Sequence, residues 1–179
     1  SDILNCFRPG QTSFLNAILG KKIDRILFAA TKADHLHHTS HDALENILKF
    51  LVEDAMKRSD ISGAEFDVVA LAAIRATREQ MVNDGKQELP AIIGTPESGQ
   101  QLGKDTYDGT EEIALFPGDL PKNPAEAFSD NSSEDIHDTG FMRFRPPIIK
   151  QASTGITAPV FPHIRLDKAL NFLIGDRLT

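Results

Sequence analysis

The sequence predicts an α/β fold in which two buried parallel strands flank one amphipathic helix. Two apolar runs without alternation, residues 26–30 and 67–74, are typical of strands covered on both faces of a parallel sheet. Between them, residues 40–58 repeat apolar side chains at helical spacing: Leu44, Ile47, Leu48, Leu51, Val52 and Ala55. This order of elements predicts a right-handed βαβ unit.

The helix ends are also encoded locally. Thr39 with Asp42 matches an acidic capping box, and Lys57 and Arg58 occupy the last turn, where cations are favoured. A shorter helix is predicted over residues 11–22, where Gly20 suits the C-terminal cap. A third helix closes the chain, with Leu166, Leu170 and Leu173 on one face.

The middle of the chain predicts an insertion. Residues 75–82 favour a short helix, and short strands are predicted around 89–94 and 112–116. The acidic, Ser/Asn-rich stretch 122–140 indicates a mobile loop. Residues 141–149 indicate an edge strand ended by two prolines. We therefore divide the chain into an α/β core over 1–79, an insertion over 80–162 and a closing helix over 163–179.

Composition narrows the classes of function. A net charge of −7 over 179 residues argues against a nucleic-acid binder, which is usually basic. The single cysteine, Cys6, cannot form an internal disulfide, so a reducing, cytoplasmic setting is expected. No apolar run reaches the length of a membrane span. The start, SDILNCF, has neither an initiator Met nor a signal peptide, so we expect a piece of a longer protein.

The tetrad Thr31-Lys32-Ala33-Asp34 follows the first predicted strand. Ligands in open α/β sheets bind beyond the carboxyl ends of strands, and a TKxD tetrad there indicates a guanine-reading site. The carboxylate of Asp34 would accept hydrogen bonds from guanine N1–H and the exocyclic amino group, whereas adenine offers neither donor. The stem of Lys32 would lie along the base, and Thr31 would tie neighbouring loops.

A second loop is expected to complete the base pocket at the end of the next strand. Ala72, Ala73 and Ile74 occupy that place, and the small alanines would let a backbone N–H approach guanine O6. A phosphate-binding loop of the form GxxxxGK[ST] is not found. The nearest matches, 98–106 and 8–13, lack its first Gly or its Lys. We therefore expect no catalytic residue in this chain and no hydrolysis by it alone.

Four histidines, His35, His37, His38 and His41, crowd one turn. The spacing of His37 and His41 would suit zinc on a helix, but no HExxH motif or second Cys accompanies it. We interpret the cluster as a polar loop beside the helix N-terminus, which would resist protonation, and predict no metal site. Arg75 would face a nucleotide or pair with surface carboxylates.

Longer segments resemble a known family. The chain resembles the YcjX-like family of bacterial P-loop GTPases in four segments: 6–45, 67–79, 114–121 and 162–178. The proteins of that family are longer, and this chain resembles only their C-terminal part. The resemblance implies the C-terminal part of a P-loop NTPase-type sheet, cytoplasmic localisation and a link to bacterial stress response. It also implies GTP with Mg²⁺ in the full-length protein, and places the guanine motif at Thr31, Lys32 and Asp34.

Two other interpretations stay open. The full-length protein could use ATP instead of GTP, because such proteins are also described as ATPases. Alternatively, the region is a separately folding protein-interaction module whose working surface is the insertion over 80–162.

Overall fold

The computed structural model describes residues 24–58, 64–128, 142–148 and 161–178. The helix predicted over 11–22, most of the acidic loop over 122–140, and Cys6 lie outside these ranges. Within them, the chain forms a two-stranded parallel sheet, two helices, a three-stranded antiparallel sheet and a two-stranded antiparallel hairpin.

The predicted strand–helix–strand unit is present. Strand β1 spans Arg25–Ala30, helix α1 spans His41–Arg58, and strand β2 spans Glu65–Ala70. The strands pair in parallel, from Arg25 opposite Glu65 to Ala30 opposite Ala70. Because parallel register aligns the strand ends, the loops after Ala30 and Ala70 leave from the same edge of the sheet.

The prediction that both strands are buried on both faces is wrong. Most of β1 is half-buried and Ala29 is exposed, while β2 is fully buried only at Val69 and Ala70. In the described part of the chain this sheet has two strands, so each is an edge strand with one neighbour. Strand β2 also ends before the expected boundary, which leaves residues 72–74 in the loop.

An antiparallel sheet lies mostly within the residues predicted as an insertion, and its first strand begins two residues before the predicted boundary at 80. Strands β3 (Arg78–Asn83), β4 (Glu88–Gly94) and β7 (Ile113–Leu115) lie in the order β3-β4-β7. The strands predicted around 89–94 and 112–116 are thereby confirmed. Strands β5 (Gln101–Leu102) and β6 (Asp105–Thr106) form a two-stranded hairpin within residues 98–106.

The short helix predicted over 75–82 is wrong, because β3 occupies most of that range. The turn that follows explains the difference. The Asp84 carboxylate accepts the N–H groups of Lys86 and Gln87, both at 2.8 Å, and Gly85 adopts a φ of +88°. This turn brings β4 back against β3, so the ladder between them overrides a weak helical preference.

Two apolar clusters support the two sheets. One joins Ala33, Ala70, Ala72 and Ile164 near the carboxyl ends of the parallel strands, with Leu44 of α1 packed against it. The other joins Ile92, Leu115, Met142 and Phe144 in the insertion. The edge strand predicted over 141–149 is reduced to one bridge, between Phe144 and Pro96. All four buried members of this second cluster lie within residues 80–162, and Ala76 packs against it from outside that range.

The predicted closing helix is confirmed as α2, Leu166–Ile174. It returns to the core because Ile164, just before it, forms an antiparallel bridge with Ala72. Of the leucines that share one face, Leu170 and Leu173 are 46% and 37% exposed, whereas Ala169 is buried. Polar contacts from Arg25 of β1 also hold the end of this helix. In the described ranges, α1 and α2 both fall short of what a bilayer-spanning helix requires.

The polar contacts at the end of α2 predict a pH effect. Arg25 Nη1 lies 2.6 Å from the Asp176 carboxylate and 3.0 Å from the carbonyl oxygen of Phe172. The hydrogen bond from Arg25 lowers the pKa of Asp176 below its ordinary 3.8. The stabilisation is therefore complete above the unfolded-state pKa and is lost as pH falls through the lower folded pKa. We expect carboxyl-carbon NMR titration to show this lowered pKa, and Arg25→Gln to restore the ordinary value.

Candidate nucleotide-base site

The TKAD tetrad forms the turn that links β1 to α1. Thr31 and Lys32 are exposed, whereas Ala33 and Asp34 are buried and begin a 3₁₀ turn, Ala33–His35. Lys32 adopts φ 60° and ψ 36°, a left-handed conformation that costs a non-glycine residue roughly 1–2 kcal/mol. Backbone bonds fix it, because the Lys32 carbonyl accepts the N–H of His35 at 2.9 Å. The reversal separates the exposed Lys32 from the buried Asp34.

The loop after β2 is tied directly to this turn. The Ala33 N–H donates to the Leu71 carbonyl at 3.0 Å, and the Ala76 N–H donates to Asp34 Oδ2 at 2.9 Å. The Thr77 hydroxyl donates to the Asp34 carbonyl oxygen. The structure thus brings together the two loops that were predicted to form a base pocket. Their meeting follows from the parallel register of β1 and β2.

The Asp34 side chain faces the protein more than the solvent. Its relative exposure is 5%, and Oδ2 is held by the Ala76 N–H. A carboxylate has about four acceptor positions, so one N–H leaves acceptor capacity on both oxygens. A cavity of about 940 Å³ borders Ala76 and Thr77, but Asp34 does not line it. A base that donates to both oxygens would therefore either share Oδ2 with the Ala76 N–H or displace that N–H.

The predicted residues of the second loop behave differently from one another. Ala72 is buried, and its N–H and carbonyl oxygen both bond to Ile164, at 3.1 and 2.8 Å. Its N–H is therefore already used, while Ala73 and Ile74 are exposed beyond it. The partners of Asp34 are instead Ala76 and Thr77, which sequence reasoning missed. Because β2 ends at Ala70, the pocket loop extends further along the chain than residue 74.

Two of the four clustered histidines, His35 and His41, contact the tetrad or the insertion cluster. His41 is buried, and its Nε2–H donates to the Ala33 carbonyl at 2.9 Å, which joins the start of α1 to the tetrad. His35 stacks edge-on against Phe144, with ring centroids 5.4 Å apart. The desolvation of His35 by burial lowers its pKa, which agrees in direction with the expected resistance to protonation. Burial of the His35 ring, rather than the positive end of helix α1, is the main cause of its lowered pKa.

The predicted cap at Thr39 differs from the observed start of α1. Thr39 lies inside a 3₁₀ turn, His38–Ser40, and the helix begins at His41. Thr39 Oγ1 lies 3.0 Å from His37 Nδ1, so this hydroxyl orients a histidine ring. The buried His37 is thereby held at the entrance to the helix.

His38 joins the turn before α1 to strand β3. His38 Nδ1 lies 2.5 Å from Glu79 Oε2, and Arg75 Nη2 lies 2.8 Å from Glu79 Oε1. Burial of Glu79 opposes its ionisation, but the hydrogen bond from His38 and the charge of Arg75 outweigh it, so its pKa is lowered. Arg75 therefore pairs with a carboxylate, one of the two roles expected for it. The contact links the turn before α1 to β3.

Comparison with known proteins supports the family resemblance. The family model described as YcjX-like family, DUF463, matches residues 1–178. The chain is 32% identical over 179 residues to the Ras-like GTPase YcjX of Escherichia coli K12, covering 99% of this chain and 34% of the relative. It is 31% identical over 177 residues to the Ras-like GTPase YcjX of Shewanella oneidensis MR-1, covering 98% of this chain and 33% of the relative. The chain thus spans about a third of the length of these curated relatives. On the family match over nearly its whole length, this chain belongs to the YcjX-like family.

Proposed function

We propose that this chain supplies the guanine-recognition part of a GTP-binding protein with a P-loop NTPase-type fold. The observation that carries the proposal is the junction at the carboxyl ends of β1 and β2. There, the Ala76 N–H reaches the Asp34 carboxylate at 2.9 Å, so the TKAD turn and the following loop form one unit. The relatives that bear the name Ras-like GTPase support guanine as the base.

The chemistry of the proposal rests on Asp34. An ionised carboxylate only accepts hydrogen bonds, and guanine presents two donors side by side, N1–H and the exocyclic amino group. Adenine presents a bare N1 in the corresponding place, which would leave a desolvated carboxylate facing a lone pair. The near-complete burial of Asp34 makes that mismatch costly, because little water reaches it. Selection of GTP over ATP therefore follows from the same burial that limits access to Asp34.

The neighbouring side chains would complete the base site. Lys32 is exposed and lies in the same turn as Asp34, so its stem would cover one face of a base bound there. Thr31, Ala73 and Ile74 are exposed along the rim of the same two loops. Phosphate binding, Mg²⁺ coordination and hydrolysis would be supplied by other parts of the full-length protein. We further propose that this protein acts in the cytoplasm, in the stress response that the resemblance implies.

Nucleotide affinity of the full-length protein tests the proposal. Asp34→Ala removes two charge-assisted hydrogen bonds, each worth about 1.5–3 kcal/mol, so GTP affinity should fall by roughly 10²–10⁴-fold. ATP affinity should not fall and should rise, because the variant no longer places a buried carboxylate against the bare N1 of adenine. The ratio of the two affinities, measured by titration calorimetry, separates base recognition from general damage.

The control for this test is Asp119→Ala, which removes an exposed carboxylate and should leave the GTP affinity unchanged. An unchanged GTP affinity in Asp34→Ala would overturn the base-reading role. A wild-type protein that binds ATP more tightly than GTP would support the ATP interpretation instead.

The insertion supports a second proposal, that it is a surface for a protein partner. Its sheet has its own apolar cluster, and Met81 on the outer strand β3 is 47% exposed. Asp34→Ala distinguishes the two proposals, because it should weaken the GTP complex and leave partner binding intact. Loss of both activities together would mean that they depend on one site.

A further inference from the structure

We propose that His37, His38 and Glu79 form a binding site for a divalent transition-metal ion of the zinc type. One ligand atom from each residue lies within 4.8 Å of the other two. The three come from separate parts of the fold, since Glu79 lies in β3 and both histidines precede α1. This site is distinct from the His37–His41 pair that the sequence suggested, because His41 Nε2 is bonded to Ala33. The inference is independent of which nucleotide the protein binds.

The donor set fits such an ion. Two imidazoles and one carboxylate are ligands that zinc and its neighbours accept, whereas Mg²⁺ prefers oxygen ligands alone. His38 Nδ1 and Glu79 Oε2 are 2.5 Å apart. Ligands placed about 2.0–2.2 Å from a tetrahedral ion lie roughly 3.3–3.6 Å from each other, so this pair must open by about 1 Å. The His38 side chain is 65% exposed, which allows that movement.

The surrounding contacts orient the ligands. Thr39 Oγ1 holds the His37 ring through Nδ1 at 3.0 Å. Arg75 holds Glu79 through Oε1 at 2.8 Å, which leaves Oε2 directed at His38. Metal ligands in proteins commonly have such outer partners, and their loss typically weakens binding about 10–100-fold. The positive charge of Arg75 opposes the ion, so we expect weaker binding than at a closed structural zinc site.

A bound ion would join the two sides of the tetrad region. His37 and His38 follow the TKAD turn, and Glu79 lies two residues beyond Thr77, whose hydroxyl contacts the Asp34 carbonyl oxygen. A metal bridge between them would hold the loop after β2 against that turn. Three protein ligands also leave a fourth position for water or another donor.

The test is metal binding by the tag-free, metal-stripped chain, using competition with a chromophoric chelator. We expect one Zn²⁺ per chain and no competition from Mg²⁺. Glu79→Gln and His38→Ala should each weaken Zn²⁺ binding by at least the roughly 10–100-fold that loss of an outer partner costs. His163→Ala removes an exposed histidine outside the cluster and is the matched control.

The melting temperature, as a second readout, distinguishes loss of metal binding from loss of folding in the variants. Zn²⁺ should raise the melting temperature of the wild type and of His163→Ala, but not that of His38→Ala, whose exposed side chain makes unfolding by the substitution itself unexpected. Co²⁺ should give ligand-field bands without a thiolate charge-transfer band, which excludes a site at Cys6. Absence of stoichiometric Zn²⁺ binding in the wild type, or equal binding in all variants, would overturn the proposal.

Discussion

Asp34→Asn is expected to change the preferred nucleotide of the full-length protein from GTP to XTP. Xanthine carries a carbonyl oxygen where guanine carries its exocyclic amino group. The asparagine amide would donate to that oxygen, while its own carbonyl oxygen would accept N1–H. Against GTP the same amide would face the amino group, donor against donor. Because a buried mismatch of polar groups is costly, we expect the GTP-to-XTP preference to shift by about 10²-fold or more.

The substitution suits this site because it preserves local structure. An asparagine carbonyl oxygen can still accept the Ala76 N–H that Asp34 Oδ2 accepts at 2.9 Å. Competition binding with GTP, XTP and ATP gives the ratios directly, and Asp119→Asn serves as the control. A variant that loses GTP and XTP equally, or that keeps the wild-type preference, would contradict guanine recognition by Asp34.

Among the variants proposed here, Ile92→Ala is expected to lower the free energy of unfolding most. Ile92 is 1% exposed and lies in the insertion cluster with Leu115, Met142 and Phe144. Truncating a buried isoleucine removes its transfer free energy and leaves a cavity, which together cost about 2–5 kcal/mol. The matched control is Ile148→Ala, because Ile148 is 86% exposed and its truncation should change stability by about 0.5 kcal/mol or less. Urea-induced unfolding measures both values.

The Ile92→Ala variant also tests whether the insertion cluster is structurally coupled to the TKAD turn. His35 packs its ring against Phe144, so the insertion cluster touches the turn that contains Asp34. If Ile92→Ala loosens that cluster, the chemical environment of His35 should change, which histidine NMR reports. An Ile92→Ala chain with a loss of stability no larger than that of Ile148→Ala would contradict the assigned core.

Local patterns in the sequence predicted the elements that local forces determine. The 3.6-residue spacing from Leu44 to Ala55 predicted α1, and two continuous apolar runs predicted β1 and β2 with their parallel pairing. The position of the tetrad at the carboxyl end of β1 followed from its place directly after the first apolar run. These features depend on periodicity and chain order, which a single sequence carries.

Other features arise from contacts between distant parts of the chain. Strand β3 resembled a weak helix in sequence, and only its pairing with β4 makes it a strand. The Asp34–Ala76 bond joins residues 42 positions apart, and the His38–Glu79 contact joins residues 41 positions apart. The contact of Arg25 with the Phe172 carbonyl oxygen likewise joins residues 147 positions apart. No local pattern specifies such partners.

A crystal structure of the full-length protein with bound GDP would show whether Asp34 reads the guanine base. We expect guanine N1 and the exocyclic nitrogen each to lie about 2.7–3.2 Å from an oxygen of Asp34, with Lys32 along the base. A base held elsewhere, with the Asp34 carboxylate still bonded to the Ala76 N–H and out of reach of the purine, would contradict this role.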